Sequence, residues 1–241
     1  MPEQAAAPRR GDFVFDAELV SDAQPAWLDP AFWRARQALR LLGGGRGGIA
    51  VVATPAGEAV LKHYRRGGLV ARLFGDRYLW TGARHARSLA EFALLRRLAS
   101  EGLPVPVPLA AGVRRSGCCY RADLLTRRIA EASTLAERLA QGTLDAATMR
   151  QVGALLARFH RAGVWHADLN AHNLLHAADG WYLIDFDRGR LRAPASRWRE
   201  ANLRRLRRSL LKLGAAAQGE AAFESALWQP LLVAYRETFD A

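Results

Sequence analysis

Cysteine is nearly absent from this chain. The 241 residues include only two, Cys118 and Cys119, and these two are neighbours. Neighbouring cysteines rarely bond to each other, so the sequence has no disulfide framework and does not fit the disulfide-rich secreted class. We interpret both residues as small apolar residues of a strand.

Long apolar runs are absent as well. No stretch approaches the roughly 20 apolar residues that a membrane-spanning helix needs. Residues 1–11 lack the apolar core of a secretory signal, and their arginines follow the alanines instead of preceding them. Because this segment shows no apolar periodicity, we predict a flexible tail. The expected location is the cytoplasm.

Acidic residues are few compared with basic ones. The chain has 35 Lys and Arg against 23 Asp and Glu, which gives a formal net charge of +12. This charge favours binding to nucleic acid, to an anionic membrane surface, or to a phosphorylated or carboxylated substrate. Composition does not distinguish these partners.

The first half of the chain is rich in short strand-forming runs. Separated by turn residues, these runs predict two hairpins, one from 49–53 and 59–64 and the other from 109–114 and 118–128. A helical pattern lies between the hairpins at 83–100.

The second half is mainly helical. Apolar spacing predicts helices near 149–159 and at 196–213, and between them lie two short strands at 173–176 and 181–186. Strands with one helix, followed by helices around a small hairpin, indicate an α+β protein of two lobes.

The most informative segment combines two carboxylates and an amide. Asp168 and Asn173 are five positions apart on a turn between a helix and a strand, and Asp185 ends the partner strand. The hairpin returns the chain, so the three polar groups are expected to converge. Phosphoryl transfer needs such a set, because one carboxylate accepts a proton and oxygen ligands bind Mg²⁺. Turn capping alone would explain the first two residues but not the third.

This segment resembles the catalytic loop of protein kinases and their relatives, and Asp185-Phe186-Asp187 resembles their metal-binding Asp-Phe-Gly. The resemblance implies ATP as the phosphate donor, Asp168 as the catalytic base, and Asn173 and Asp185 as ligands of Mg²⁺. It also implies a bilobal protein-kinase-like fold, with a small β-rich N-terminal lobe at 1–130 and a mainly helical C-terminal lobe at 131–241.

The same resemblance extends upstream to a lysine. Ala59-Val60-Leu61-Lys62 is similar to the strand-borne lysine motif of these kinases, in which the lysine positions the nucleotide phosphates and pairs with a glutamate of the following helix. Glu91 is the best candidate for that glutamate. Glu101 is the alternative, but it lies close to a glycine that is expected to end the helix.

A glycine cluster at 43–48 precedes the first hairpin, where these kinases have their phosphate-covering loop. Glycine allows backbone N–H groups to approach phosphate oxygens closely. We take Gly44, Gly45 and Gly47 as candidate nucleotide-binding residues. No Gly-Lys-Ser/Thr follows, so this cluster is not a P-loop.

Three departures from the protein-kinase pattern indicate a small-molecule acceptor. Asn170 stands where protein-serine kinases usually have a lysine, and Asp187 replaces the glycine of Asp-Phe-Gly. Only about ten residues separate Asp187 from the next predicted helix, and no Ala-Pro-Glu follows, so there is no room for a peptide platform. The role of Asp187 stays open between pairing with Arg188 or Arg190 and binding magnesium.

These motifs, together with Trp198, Asn202 and the leucines that follow, resemble the bacterial lipopolysaccharide kinases. The resemblance is closest to members that act on the acidic inner-core sugar 3-deoxy-D-manno-octulosonic acid (Kdo). It implies transfer of the γ-phosphate of ATP to the 4-hydroxyl of Kdo attached to lipid A. It further implies a peripheral protein on the cytoplasmic face of the inner membrane. We expect no nucleic acid as a partner and infer no obligate protein partner.

The predicted helix at 196–213 carries much of the basic charge. Its leucines at 203, 206, 210 and 213 form one stripe, which we assign to the core. Its arginines at 204, 205, 207 and 208 are assigned either to a solvated face or to an anionic headgroup, a lipid A phosphate or the Kdo carboxylate. A second basic patch runs from Lys62 to Arg72 and is open to the same two interpretations.

Two other classes of function are compatible with parts of the pattern. One is a different small-molecule kinase of the same fold, such as a heptose kinase or an aminoglycoside- or choline-type phosphotransferase; an atypical protein kinase fits less well. The other is a catalytically inactive kinase fold that binds nucleic acid or membranes through its charge. A pure binder needs none of Lys62, Asp168, Asn173 and Asp185, so their presence favours an enzyme.

Overall fold

The structure, a computed structural model, describes residues 9–10, 12–42, 49–65 and 75–241. The predicted glycine loop with Gly44, Gly45 and Gly47 lies outside these residues, as does most of the second basic patch. The chain divides into two compact units. The first contains the described residues up to Arg97 together with Pro106–Arg128, and the second contains Leu98–Val105 and Ile129–Ala241.

An antiparallel sheet forms the frame of the first unit. Four of its strands form the two hairpins that the sequence predicts, with turn residues between the strand-forming runs. The described strands are β1 Arg9–Arg10, β2 Phe13–Phe15, β3 Leu39–Leu42, β4 Ile49–Thr54, β5 Gly57–His63, β6 Tyr78–Leu79, β7 Pro108–Ser116 and β8 Cys119–Arg127.

Strand order in this sheet is β1-β2-β7-β8-β5-β4-β3, with β6 paired to β8. Both predicted hairpins are therefore confirmed, β4 with β5 and β7 with β8. Arg9–Arg10, which the sequence assigned to the flexible tail, pairs with β2. Edge pairing uses backbone groups and needs no apolar periodicity, which is why the pattern gave no sign of it.

One face of the sheet is closed by aromatic side chains from the segment between β2 and β3. Trp27 and Trp33 are buried, with ring centroids 5.5 Å apart, and Trp33 Nε1 donates a hydrogen bond to the carbonyl of Trp27 at 2.7 Å. Trp33 lies on the short helix α1, Pro30–Arg34, whose first turn is capped by Asp29.

The helix that follows β6 is α2, Arg87–Ser100. Its buried face consists of Phe92, Leu95 and Leu98, which recur at helical spacing. Ser88 anchors the first turn, because its hydroxyl donates to the carbonyl of Gly112 on β7 at 2.8 Å.

The second unit is mainly helical, as the sequence predicts. Its core helix is capped by Asp145, the residue before its first turn, whose carboxylate accepts a hydrogen bond from the backbone N–H of Thr148 at 2.7 Å. The helices are α3 Leu135–Ala140, α4 Ala146–Arg161, α5 Ser196–Lys212, α6 Glu220–Phe223 and α7 Gln229–Asp240, with a π-helical turn at Glu224–Trp228.

Two short strand pairs frame the loop that carries the candidate catalytic residues. One pair is β10 Val164–Trp165 with β13 Arg190–Leu191, and the other is β11 Leu174–Ala177 with β12 Gly180–Leu183. A third short strand, β9 Ser133–Thr134, also pairs with β11. Strand β12 ends three residues before the predicted end at 186.

Helix α5 buries Leu203, Leu206 and Leu210 but leaves Leu213 41% exposed. The assignment of Leu213 to the core is therefore wrong. The reason is that Leu213 follows the last helical residue, so it no longer continues the apolar face.

The two cysteines also differ from each other. Cys119 begins strand β8, whereas Cys118 lies in the turn before it and is exposed. The interpretation of both residues as strand residues is therefore right only for Cys119.

Among the described residues, no helix combines the length and the apolar character needed to cross a membrane.

Candidate active site

Lys62 and Glu91 form a bidentate ion pair in the first unit. Lys62 lies on β5 and Glu91 on α2, and Lys62 Nζ is 3.0 Å from Glu91 Oε1 and 2.8 Å from Oε2. The glutamate side chain is 3% exposed and the lysine side chain 29%. The structure thus brings together the two residues that the sequence pairs, while Glu101 lies beyond the end of the helix.

Tyr64 completes this pair. Its hydroxyl donates to Glu91 Oε2, and its ring lies 4.6 Å from Lys62 Nζ. A buried carboxylate is costly unless its lone pairs are satisfied, and the lysine and the tyrosine together satisfy it. The role of Tyr64 was not predicted from the sequence, although an aromatic residue two positions after the lysine, just beyond the end of β5, is a usable signal.

A histidine beside Lys62 ties β5 to its neighbours. His63 Nδ1 is 2.6 Å from Asp123 Oδ1 on β8, and Nε2 is 2.9 Å from Asp76 Oδ2. The hydrogen bond to Asp123 is the main reason that the pKa of His63 is raised above 6.5. Arg121 and Arg114 bind the same two carboxylates from the other side. Lys62–His63 therefore belongs to satisfied ion pairs rather than to an open basic patch.

In the second unit, His166 fixes the loop that carries Asp168. His166 is 2% exposed, and its Nδ1 accepts a hydrogen bond from the backbone N–H of Asp168 at 3.2 Å. Nε2 therefore carries the proton and donates to the carbonyl of Ile184 at 3.0 Å. His166 thus links the catalytic loop to the segment that leads into Asp185, which confirms its predicted role in fixing the loop.

The two asparagines of the loop bind the same backbone carbonyl. Asn170 Nδ2 donates to the carbonyl of Asp168 at 3.0 Å, and Asn173 Nδ2 donates to it at 2.9 Å. Asn170 Oδ1 also accepts from the backbone N–H of His172 at 2.9 Å. Both polar groups of Asn170 are thus used within the loop.

Asn173 and Asp185 lie at adjoining ends of the β11–β12 hairpin. The residue before Asp185 donates its N–H to the carbonyl of Asn173 at 3.0 Å. Asp185 itself has φ 61°, in the left-handed region that costs non-glycine residues energy. This turn away from extended backbone is the reason that β12 ends early, and it is a local strain of the kind found at functional sites.

The donor set of Asn173 and Asp185 fits Mg²⁺ but not a metal held by protein alone. Among the described residues, no three His, Cys, Asp or Glu side chains gather into a metal site. Mg²⁺ usually takes one or two protein carboxylates and completes its shell with water and phosphate oxygens. A hard cation binds the oxygen of an amide and not its nitrogen, and the amide nitrogen of Asn173 already donates within the loop.

Arg205, on α5, contacts the candidate base directly. Its Nε donates to Asp168 Oδ1 at 2.9 Å, and its Nη2 donates to the same oxygen. The side chains of Arg205 and Asp168 are 46% and 50% exposed. The sequence assigned Arg205 to solvent or to an anionic ligand and did not predict its contact with Asp168, because a contact between residues 37 positions apart leaves no local signal.

The remaining arginines of α5 do not form one open basic face. Arg207 binds Glu224 and Glu220, and these hydrogen bonds, with Glu220 the larger effect, raise the pKa of Arg207. Arg204 pairs with Glu200 one turn earlier. Arg204, Arg205 and Arg207 thus have different acidic partners, whereas Arg208 is exposed and has no ion pair among the described residues.

Asn202 joins α5 to the catalytic loop. Its Oδ1 accepts from the backbone N–H of His166 at 3.2 Å, and its Nδ2 donates to the carbonyl of His166 at 2.9 Å. Two turns further on, the hydroxyl of Ser209 accepts from the backbone N–H of Ala171 at 3.1 Å. The two bonds of Asn202 satisfy the polar groups of its buried side chain. In the sequence, Asn202 was noted only as part of a family resemblance.

The fold is of the protein-kinase-like class. The chain aligns with a solved structure described as WaaP in complex with acyl carrier protein, with a TM-score of 0.56 over 93% of this chain and 88% of that one. Identity in that alignment is 20%, so the likeness shows the fold alone. The predicted fold class is confirmed.

Residues 31–235 match the sequence profile of the lipopolysaccharide kinase (Kdo/WaaP) family. The chain belongs to this family, and it is a phosphotransferase. Proteins named 3-deoxy-D-manno-octulosonic acid kinase are similar along most of its length. The one from Xanthomonas axonopodis pv. citri is 51% identical over 87% of this chain and 86% of its own. The one from Xylella fastidiosa is 48% identical over 85% and 82%.

Proposed function

We propose that this protein transfers the γ-phosphate of ATP to the 4-hydroxyl of Kdo in the lipopolysaccharide inner core attached to lipid A. The observation that carries the proposal is the identity of about half of all residues to proteins named for Kdo phosphorylation, over most of both chains. Use of ATP follows from membership of a kinase family. The geometry around Lys62 and Asp168 supports the same reaction.

In this proposal Asp168 is the catalytic base. Its carboxylate accepts the proton of the acceptor hydroxyl while that oxygen bonds to the γ-phosphorus and the bond from phosphorus to the ADP oxygen breaks. A proton acceptor must be held in place but remain reachable. The bonds from His166, Asn170 and Asn173 fix the loop, and the carboxylate is half exposed.

Lys62 is proposed to donate hydrogen bonds to phosphate oxygens of the nucleotide. Glu91 holds the ammonium group in position, and Tyr64 holds Glu91. Gly44, Gly45 and Gly47, outside the described residues, are proposed to approach the phosphates through backbone N–H groups. Residues 1–130 and 131–241 are proposed as the two lobes.

Asn173 and Asp185 are proposed to hold Mg²⁺ through one oxygen each. When bound, the ion neutralises charge that develops on the nucleotide phosphates. The protein's own contribution is to set these two oxygens at the adjoining ends of one hairpin, with the backbone of Asp185 held at positive φ.

We also propose that the protein acts as a peripheral protein on the cytoplasmic face of the inner membrane. A formal net charge of +12 favours an anionic surface, and the proposed acceptor is itself an acidic glycolipid. Co-sedimentation with vesicles tests this. Binding to vesicles that contain anionic lipid, lost in high salt, is expected, whereas absence of binding at low salt would contradict it.

The reaction is tested by transfer of labelled phosphate from [γ-³²P]ATP. The acceptors are Kdo-bearing lipid A and lipid A without Kdo, each offered to the wild-type protein. Label only on the Kdo-bearing acceptor is the expected result. Label on neither acceptor, from a protein that binds ATP, would contradict the choice of Kdo and direct the search to heptose-containing cores.

A further inference from the structure

Arg205 binds the candidate base in a way that leaves part of both groups available. Nε and Nη2 of Arg205 converge on Oδ1 of Asp168, so this contact does not use Oδ2. A guanidinium has five N–H donors, and an edge directed at one oxygen leaves the Nη1 side for another acceptor. Both side chains are about half exposed, so a ligand can reach them.

The loop does not need Arg205 to keep its conformation. The backbone N–H of Asp168 is bound by His166, and the carbonyl of Asp168 is bound by two asparagine amides. Helix α5 is itself joined to the loop through Asn202 and Ser209. The arginine contact is confined to one carboxylate oxygen, and exposed ion pairs of this kind contribute little to folding.

The neighbouring arginines on α5 are committed to other groups. Arg204 pairs with Glu200, and Arg207 pairs with Glu220 and Glu224. Each of these three carboxylates lies on a helix of the second unit, outside the catalytic loop. Of the α5 arginines with ion pairs among the described residues, Arg205 alone is directed at the catalytic loop.

We propose that Arg205 is a specificity-determining residue that binds the carboxylate of the acceptor sugar beside the catalytic base. This inference rests on the proposed function, because it requires an acidic acceptor. Such an acceptor must approach Asp168 and the phosphates of ATP, all of which are negative. A guanidinium beside Asp168 offsets that repulsion and can hold a carboxylate with charge-assisted hydrogen bonds.

The chemistry of Kdo suits this arrangement. Its carboxylate and its 4-hydroxyl belong to one sugar, so an anchored carboxylate restricts where the hydroxyl can lie relative to Asp168. A sugar that lacks the carboxylate would lose this anchor and would leave Arg205 to Asp168 alone. The enzyme should therefore prefer acidic acceptors. This preference should be lost when either Arg205 or the carboxylate of the acceptor is removed.

The test combines protein variants with a modified acceptor. Transfer is measured to Kdo-lipid A and to the same acceptor with the Kdo carboxyl group reduced to an alcohol. Arg205→Ala is expected to lower kcat/KM for the acidic acceptor about 10- to 100-fold, mainly through KM, because a charge-assisted hydrogen bond is lost. The loss on the reduced acceptor should be smaller by about tenfold or more, because that acceptor has no carboxylate for Arg205 to bind.

Two further variants separate binding from general effects of charge. Arg205→Lys keeps the charge but loses the fork of donors, so an intermediate loss on the acidic acceptor is expected. Arg204→Ala removes the same charge one position away and should leave both acceptors near wild type.

The outcomes distinguish this inference from the function on which it rests. An equal loss on both acceptors after Arg205→Ala, carried by kcat, would overturn the inference and make Arg205 a positioning residue for Asp168. Failure of the wild type to phosphorylate the acidic acceptor would overturn the proposed function, and the inference with it. A wild type that shows no preference for the acidic over the reduced acceptor would overturn the inference alone.

Discussion

Two ion pairs, one in each compact unit, present their charged groups in opposite ways. In the first unit, Lys62 is held by Glu91, whose side chain is 3% exposed and also accepts from Tyr64. In the second unit, Asp168 is paired with Arg205, and both side chains are about half exposed. We call the first pair closed, because its acidic group is buried, and the second pair open, because both of its groups are exposed.

The difference follows from what each group has to do in the proposed reaction. A lysine that positions phosphates acts through a fixed location, and a buried carboxylate fixes it well. A base must meet a new acceptor in every catalytic cycle, so its partner has to be reachable and exchangeable. Burial would make the second pair more rigid and would also exclude the substrate.

Replacing Asp168 removes the acidic group of the open pair and should have the largest effect, a loss of catalytic rate. We expect Asp168→Ala to lower kcat roughly 10²- to 10⁴-fold, because the acceptor hydroxyl loses its proton acceptor, while nucleotide binding stays close to wild type. Single-turnover transfer and binding of a fluorescent ATP analogue measure the two quantities. Asp179→Asn, on the exposed turn between β11 and β12, is the matched control. A kcat near wild type would contradict the assignment of the base.

A buried histidine of the second unit should make the stability of the protein depend on pH. His160 is 2% exposed, its Nδ1 is 2.9 Å from the hydroxyl of Tyr235, and burial lowers its pKa from 6.5 to about 4. The neutral form is therefore favoured in the fold, and the folded protein binds fewer protons than the unfolded chain between these values. The contribution of neutral His160 to the free energy of unfolding is fully present above pH 6.5. It decreases by about 3 kcal/mol as the pH falls to 4.

Urea unfolding at pH 7 and pH 4 measures this effect, with His160→Gln as the variant that lacks the titrating group. The loss on acidification should be smaller in the variant than in the wild type by that amount. An identical loss in both proteins would show that His160 is not kept neutral by burial.

The smallest effects are expected on the free energy of unfolding when one partner of each ion pair is removed. Lys62→Met leaves the buried Glu91 without its cationic partner and should lower the free energy of unfolding by about 1 to 3 kcal/mol. Arg205→Ala removes one side of an exposed pair and should change it by less than about 1 kcal/mol. Thermal and urea unfolding of both variants measure the difference. Equal losses would contradict the contrast between a closed and an open pair.

Much of the site could be predicted from sequence because motif order carries it. Lys62, Asp168, Asn173 and Asp185 occur in the order and surroundings of a known pattern, and the hairpins that hold them have local turn signals. The pairing of Lys62 with Glu91 followed from the same order, and the structure brings the two together at 2.8 Å. Their roles in catalysis remain predictions for the measurements above.

The rest depends on tertiary contacts that leave no local trace. Arg205 reaches Asp168 only because α5 packs against the catalytic loop, and the sequence alone does not fix which arginine of a basic helix faces that loop. The early end of β12 follows from the positive φ of Asp185, which strand-forming propensity does not report. Leu213 continues an apolar stripe in sequence, but the helix ends one residue before it.

The reaction that we propose for this protein is phosphorylation of Kdo at its 4-hydroxyl. The most direct test is to let the wild-type protein react with Mg²⁺-ATP and Kdo-lipid A and to locate the new phosphate by ³¹P–¹H correlation NMR. We predict a correlation from phosphorus to the proton on carbon 4 of Kdo, absent when Asp168→Ala replaces the wild type. A phosphate on another sugar or another hydroxyl, or release of inorganic phosphate without transfer, would contradict the account.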